Sequence, residues 1–427
     1  KADVSLKAFF SEGNYGRGTM ENLLKLCAYH SPRIKYEFID PDKNPGLVKH
    51  YGITQDGTTV LEVGGQEGRV TTTSEEDLTN ALIKATRAQK KVVYFLDGHG
   101  EGTIEESEAN GYSTAKSELE KLGYEVKRLT LALADRFPAD CALLVVAGPQ
   151  KDLLPNEYET IRSYIKGGGR ALVLVDPETP TLLPIFLSDF GFKLENDVIV
   201  DRVARLFGGD FFFPVVTDYG SHPITNKFDF YTLFGLARSI DITTPEPEGA
   251  TLTVLAKTSG DSYAKLDFLL KPQMTQKDIA FVEGKDRRGP IAIAVAGSYK
   301  FTAQPAAEPS AKPDDKTPAA AEAQAEGISG PKAEAVEKEA RIAVVGDSDF
   351  VQNRYYGWSG NGNLFLNIVN WLTEESDLIA IQPKTQTPRT LELTPVRMST
   401  LKLVVLYLLP FGVLALGVYT WVRRKSL

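Results

Sequence analysis

Between Lys91 and Asp176 the chain alternates runs that read as strands with stretches that read as helices: VVYFL, STAKSELEKLG, YEVKRLTL, the wholly apolar CALLVVA, PNEYETIRSYIKGGG and RALVLVD. Strands separated by helices of this length need crossover connections, which are right-handed. The expected result is an α/β fold with a mostly parallel sheet covered on both faces. In such sheets chemistry lies beyond the carboxyl ends of the strands, so the loops there are the first candidates for a site.

Three loops occupy that edge. Asp97-Gly98-His99-Gly100-Glu101 offers two carboxylates and an imidazole within five residues, enough in principle for a metal or general-base site, although its glycines equally suit a tight structural turn. Asp176-Pro177-Glu178 follows RALVLVD, but no cysteine or serine stands there. Thr179 lacks the flanking glycines that expose a nucleophile on a sharp elbow, so covalent catalysis is not expected. RIAVVG leads into Asp347-Ser348-Asp349-Phe350, whose two acids could share a divalent ion but lack the further oxygen ligands of a calcium loop. Asn361 and Asn363 suit a turn or N-cap before a helix over 364–372, and a structural role is favoured for this loop. No G-x-x-x-x-G-K-[ST] occurs, and Thr103 stands where GHGEG would need the third glycine of a dinucleotide fingerprint. ATP, if it drives the function, is supplied through another subunit.

Residues 1–88 read as β-α-β-α-β-β-α: VSLKAFF, a helix with Met20, Leu23, Leu24 and Cys27 on one face, IKYEFID, a short helix near 47–51, a TTVLEVGG/RVTTT hairpin, and a helix opened by the capping sequence SEED at 74–77. This order, with KHYGI before the third strand, resembles a thioredoxin-like domain. Its chemistry is missing, because a thiol oxidoreductase needs a paired low-pKa cysteine at the start of the first helix and SEGNYGRGT contains no sulfur. Cys27 and Cys141 are the only cysteines, which suggests neither a disulfide framework nor a cysteine zinc site. A net charge of −8 argues against a general nucleic-acid binder.

From about Asp201 to Pro290 the periodicity fades into aromatic, turn-rich sequence expected to be an insertion at the sheet edge. It includes the 219–225 loop, with Tyr219 and with His222 held extended before Pro223, as a candidate ligand or partner contact. Residues 303–340 contain only Ile328 and Val336 as large apolar residues and are expected to be a disordered Ala/Pro-rich insert. It would join two strands of the main sheet, PIAIAVAGSYKF and RIAVVG. Residues 341–382 complete the α/β domain that begins at 89, and 383–400 form a juxtamembrane linker.

Residues 403–422, LVVLYLLPFGVLALGVYTWV, carry no formal charge, and as a helix would span about 30 Å, the thickness of a bilayer's hydrocarbon core. A transmembrane helix is therefore expected over 401–423, starting at Leu403, with Pro410 inside it, Tyr419 and Trp421 in the interfacial belt, and Arg423 and Arg424 stopping it. The basic cluster leans toward a cytoplasmic tail, which puts the soluble bulk outside. Lys1 is not an initiator, so an upstream export signal or anchor is expected to precede it.

KAFFSEGNYGRGTMENLLKLCAYHSPRIKYEFIDPDKNP, EEDLTNALIKATRAQKKVVYFLDGHGE, HPIT, GDSDF with NLFLNIVNWL, and the closing apolar run, in this order, resemble the auxiliary subunits of ABC-type transport systems typified by the bacterial gliding-motility protein GldG. The resemblance implies an extracytoplasmic protein of the inner (cytoplasmic) membrane, held by helices at both ends. It would work beside an ABC-2-type permease and a cytoplasmic ATPase, with an amidotransferase-like, non-catalytic middle domain. It supplies no catalytic residue and no cofactor. The expectation is a non-enzymatic subunit that docks on the permease or presents an unassigned cargo, with Pro410, Gly412 and Gly417 letting its helix bend or pack closely. The alternative is a hydrolase or glycan-binding enzyme using Asp97, His99, Glu101 and Asp347.

Overall fold

A computed structural model describes residues 3–86, 90–134, 136–178, 182–202, 204, 210–266, 268, 278–302, 337–374, 410–411, 417–418 and 421. β1 (Val4–Phe9), α1 (Arg17–His30), β2 (Ile34–Ile39), α2 (Pro45–His50), β3 (Thr58–Val63), β4 (Gln66–Val70) and α3 (Glu75–Thr86) build a four-stranded sheet ordered β2-β1-β3-β4. β2 runs parallel to β1, and β3 antiparallel to both β1 and β4. The period of two sorts the side chains. Val4, Leu6 and Ala8 meet Met20 and Leu24 of α1 and Leu78 of α3 on one face, while Phe9 and Val60 meet Ile39 and Tyr51 on the other. Ser74 caps α3 as its sequence suggests, its hydroxyl accepting the Asp77 amide at 3.4 Å. The Asp77 carboxylate accepts the Thr72 hydroxyl at 2.5 Å.

The rest of the body is made by β5 (Val92–Leu96), α4 (Ser113–Lys121), β6 (Glu125–Leu129), β7 (Cys141–Ala147), α5 (Pro155–Lys166), β8 (Arg170–Leu174), α6 (Leu182–Ser188), β9 (Phe192–Leu194), β10 (Asp197–Val200), β11 (Val215–Val216), β12 (Asp218–Tyr219), β13 (Thr232–Leu233), β14 (Ile240–Ile242), β15 (Ala250–Lys257), β16 (Tyr263–Leu266), β17 (Arg287–Arg288), β18 (Ala292–Thr302), β19 (Glu337–Val345), α7 (Asn353–Tyr356) and α8 (Asn361–Leu372). Its main sheet has eight strands ordered β12-β15-β18-β19-β8-β7-β5-β6. The run from β19 to β6 is parallel, and β18, β15 and β12 add to it antiparallel.

Both faces of this sheet are covered, which explains the continuous apolar runs. Val93, Phe95, Leu143, Val145, Leu172, Leu174 and Val345 pack under α4 and α8, and Tyr94, Leu144, Val146, Val173, Ile342 and Val344 pack under α5 and α6. Each fully buried Leu, Val, Ile or Phe contributes roughly 1.5–3 kcal/mol. Within 201–290, β12 and β15 extend the main sheet, β11 pairs with β13, β16 and β17 join β10 in a small sheet, and β14 pairs with β9.

β18 and β19 form the expected hairpin, paired from Ala294↔Val345 out to Thr302↔Glu337. β19 begins at Glu337, inside the stretch expected to be disordered to residue 340, because the hairpin runs on as a two-stranded ribbon past Arg341, where pairing with β8 starts. Residues 303–336 lie outside the described residues. So do the expected linker at 383–400 and most of the expected span at 401–423, including Leu403, Arg423 and Arg424, whereas Pro410, Phe411, Gly417, Val418 and Trp421 are described, as helix. Among the described residues no helix is long and apolar enough to cross a membrane. Residues 1–382 and 383–427 are separate compact units.

Candidate functional site

β5, β7, β8 and β19 run parallel, so the loops that leave them share one edge of the sheet. After β5, Gly98 and Gly100 take φ values of +130° and +88°, which fold the loop back sharply. Asp97 turns toward β6, pairing with Arg128 and lying 3.5 Å from the Thr130 hydroxyl. His99 turns inward. Its Nδ1 lies 3.2 Å from Glu101 Oε1 and its Nε2 2.8 Å from Glu157 Oε2, while its amide donates to Glu101 Oε2 at 2.7 Å.

Glu157 opens α5, and the same Oε2 accepts the Leu154 amide at 2.7 Å. The imidazole is thus clamped between two carboxylates, with all three side chains buried. Both ring nitrogens are occupied, so the group can fix a loop to a helix start but presents no vacant nitrogen to a substrate. Sequence reasoning missed Glu157. The available signal was its place three residues into a proline-started helix, a capping position.

One strand further along, the loops after β8 and β19 meet. The Ser348 amide donates to Asp176 Oδ1 at 2.6 Å and its hydroxyl to Oδ2 at 2.7 Å. Asp347 Oδ2 accepts the Gly235 amide at 2.8 Å and Oδ1 the Asp349 amide at 2.9 Å, while Asp349 Oδ1 accepts Gln352 Nε2 at 2.6 Å. Gly148, just past β7, sits against this pair with φ +63°. A Cβ there would collide with Ser348 Oγ and come within 2.9 Å of Asp176 Oδ2. Arg238 Nη1 donates to the Asp176 carbonyl at 3.2 Å.

Three carboxyls this close raise one another's proton affinity. Burial, then Asp349 and Asp176, push Asp347 well above the usual carboxylate range. Burial and Asp176 push Asp349 up to about 6 against the opposing Arg354, and burial raises Asp176 against its Ser348 bonds. The cluster can hold a proton near neutral pH. It offers no activated nucleophile, since Ser348 is buried and donates its hydroxyl proton to a carboxylate already accepting its amide. Among the described residues no group of three or more His, Cys, Asp or Glu side chains is arranged to hold a metal ion.

The four residues of the hydrolase alternative are therefore not gathered into one site: Asp97 faces β6, His99 and Glu101 face α5, and Asp347 bonds to the amides of Gly235 and Asp349. The other candidate loop packs inward. The Tyr219 hydroxyl lies 2.9 Å from Thr232 Oγ1, and its ring meets Phe228. The His222 ring stands edge-on to Trp371 at 4.8 Å, with burial and then Arg341 holding its pKa down at about 4, and Asn367 Nδ2 donates to the Ile224 carbonyl at 3.0 Å. HPIT thus holds the last described helix of the body.

The carboxyl end of α8 is also held by cations, as a helix C-terminus favours. Arg341 Nη1 donates to the Trp371 carbonyl at 2.7 Å, Lys91 to the Thr373 carbonyl, and Arg170 pairs with Glu374. Lys91 precedes β5, Arg170 opens β8 and Arg341 is the β19 residue opposite it, so α8 ends at the amino edge of the sheet, away from the acidic cluster. Neither cysteine is poised for redox work: burial raises the Cys27 thiol and pushes Cys141 up to about 11.

The solved mmIFT52 N-terminal domain is similar to the chain at 12% identity and a TM-score of 0.42, over 66% of this chain and 97% of that one. The mitochondrial thioredoxin 3 of Saccharomyces cerevisiae is similar at 21% identity and a TM-score of 0.18, over 18% and 76%, and the thioredoxin of Fasciola hepatica at 20% and 0.19, over 20% and 84%. No curated protein matches the chain. A family model described as "ABC-type uncharacterized transport system" matches residues 90–368, from the start of the eight-stranded body into its last helix. The chain belongs to this family, and is an auxiliary component of an ABC-type transport system.

Proposed function

We propose that the chain is a non-enzymatic subunit that docks on an ABC-2-type permease or presents cargo to it, driven by a separate cytoplasmic ATPase. The family match over residues 90–368 carries this reading. The occupied side chains support it: His99 is closed between Glu101 and Glu157, and Asp176 is taken at both oxygens by Ser348. In this reading residues 1–88 are a thioredoxin-like module without redox chemistry. Residues 89–302 and 341–382 form an amidotransferase-like body outside the inner membrane, and residues 401–423 are its anchor with a cytoplasmic tail. Affinity purification of the full chain from mild detergent extracts of its native membrane tests this. Recovery of one permease and one ATPase is expected, and their repeated absence contradicts it.

A further inference from the structure

The outer edges of the two larger sheets differ in how they are blunted. On β4, Arg69 Nε donates to Glu67 Oε1 at 3.0 Å; on β6, Lys127 pairs with Glu125 at 3.0 Å and Arg128 with Asp97; and β12 has only two residues. β2 is six residues long and exposes Lys35 and Glu37, which make no ion pair among the described residues. On its other face Ile34, Tyr36 and Phe38 are only half-buried against the α1 layer. A strand edge left open in this way is a template for pairing.

The outward backbone groups follow from the pairing with β1. The Arg33 and Ile39 carbonyls accept the Val4 and Phe10 amides, so odd-numbered residues of β2 face β1 and the even ones face away. The Ile34 amide donates to the Ser31 carbonyl, and among the described residues the amides of Tyr36 and Phe38 have no partner, which leaves them for an external strand.

We propose that β2 is an interface strand whose partner is β2 of a second copy of this chain, joined antiparallel about a two-fold axis at Tyr36. In that register Tyr36 meets its own counterpart as a hydrogen-bonded pair, and each Phe38 amide donates to the opposite Ile34 carbonyl. Each Lys35 then lies opposite a Glu37 at the closer, non-hydrogen-bonded positions. The neighbouring registers of the same parity put Lys35 against Lys35 or Glu37 against Glu37. Of the three registers only this one has opposite-charge pairs and no like-charge pair, and the self-complementary surface is what a two-fold contact requires.

The full chain with Cys27→Ala and Cys141→Ala tests it. Tyr36→Cys is expected to give a covalent dimer on mild oxidation, since hydrogen-bonded antiparallel partners lie about 5.5 Å apart at Cα, within disulfide reach. Gln66→Cys, on the opposite edge, is expected to stay monomeric. In sedimentation equilibrium without those cysteines, Lys35→Glu and Glu37→Lys are each expected to weaken self-association about tenfold, because two like-charged pairs replace two opposite ones. The swapped double variant is expected to restore it. Equal cross-linking at residues 36 and 66, or a double variant as weak as the singles, overturns the proposal.

Discussion

Ser348 holds both oxygens of Asp176, its amide on one and its hydroxyl on the other, so the ends of β8 and β19 are tied by one residue acting twice. Removing the hydroxyl alone takes from Asp176 Oδ2 its donor at 2.7 Å. Ser348→Ala is expected to cost about 1–2 kcal/mol in urea unfolding, and Asp176→Ala more, because it strands a buried hydroxyl and an amide together. Equal stability of both variants with the parent would remove this tie from the account.

The same cluster sets a pH dependence. Asp349 is raised in the folded chain to about 6 from an ordinary value near 3.8, so the folded state binds more protons between those limits. Its contribution to stability is full below about pH 4 and is lost as pH rises through about 6. Melting temperatures across pH 4–8 are expected to show a falling contribution that Asp349→Asn flattens.

Very little of that cluster was legible in advance. Asp347 and Asp349 stand out in the sequence, but the partner of Ser348 lies 172 positions away, and His99 meets Glu157 across 58. Periodicity reports which face a residue takes, and it recovered the strands from Val92 to Leu174 and the apolar face of α8, where burial repeats over a whole element. It does not report which loops meet. In the 201–290 region several strands are only two residues long, too short for any period to register.

His99 illustrates the cost of half a network. Replacing it with alanine leaves two buried carboxylates without their shared partner. Unfolding is expected to show a loss of about 1–3 kcal/mol, the cost of leaving buried polar groups without a hydrogen-bond partner. Glu157→Gln, which keeps a hydrogen-bonding oxygen at the start of α5, is expected to lose clearly less. Recovery of the permease with Glu157→Gln should be unchanged, since the Glu157 side chain is buried against His99 and the Leu154 amide.

His222 provides a spectroscopic check on the HPIT contact with α8. Its imidazole is held down at about 4 by burial and by Arg341, so it is expected to stay neutral through pH 5 in an NMR titration. This group's contribution to stability rises with pH from about 4 to 6.5. Trp371→Ala opens the ring to water and is expected to return the titration toward the ordinary histidine value of about 6.5.

In the proposed function the chain docks on a permease or presents cargo to it, and a separate ATPase supplies the energy. ATP hydrolysis by the reconstituted permease and ATPase, measured with and without the full chain, is the decisive experiment. No hydrolysis is expected of the chain alone, and a changed rate is expected when it joins the complex. An unchanged rate, or turnover by the chain in isolation, would contradict the proposed function.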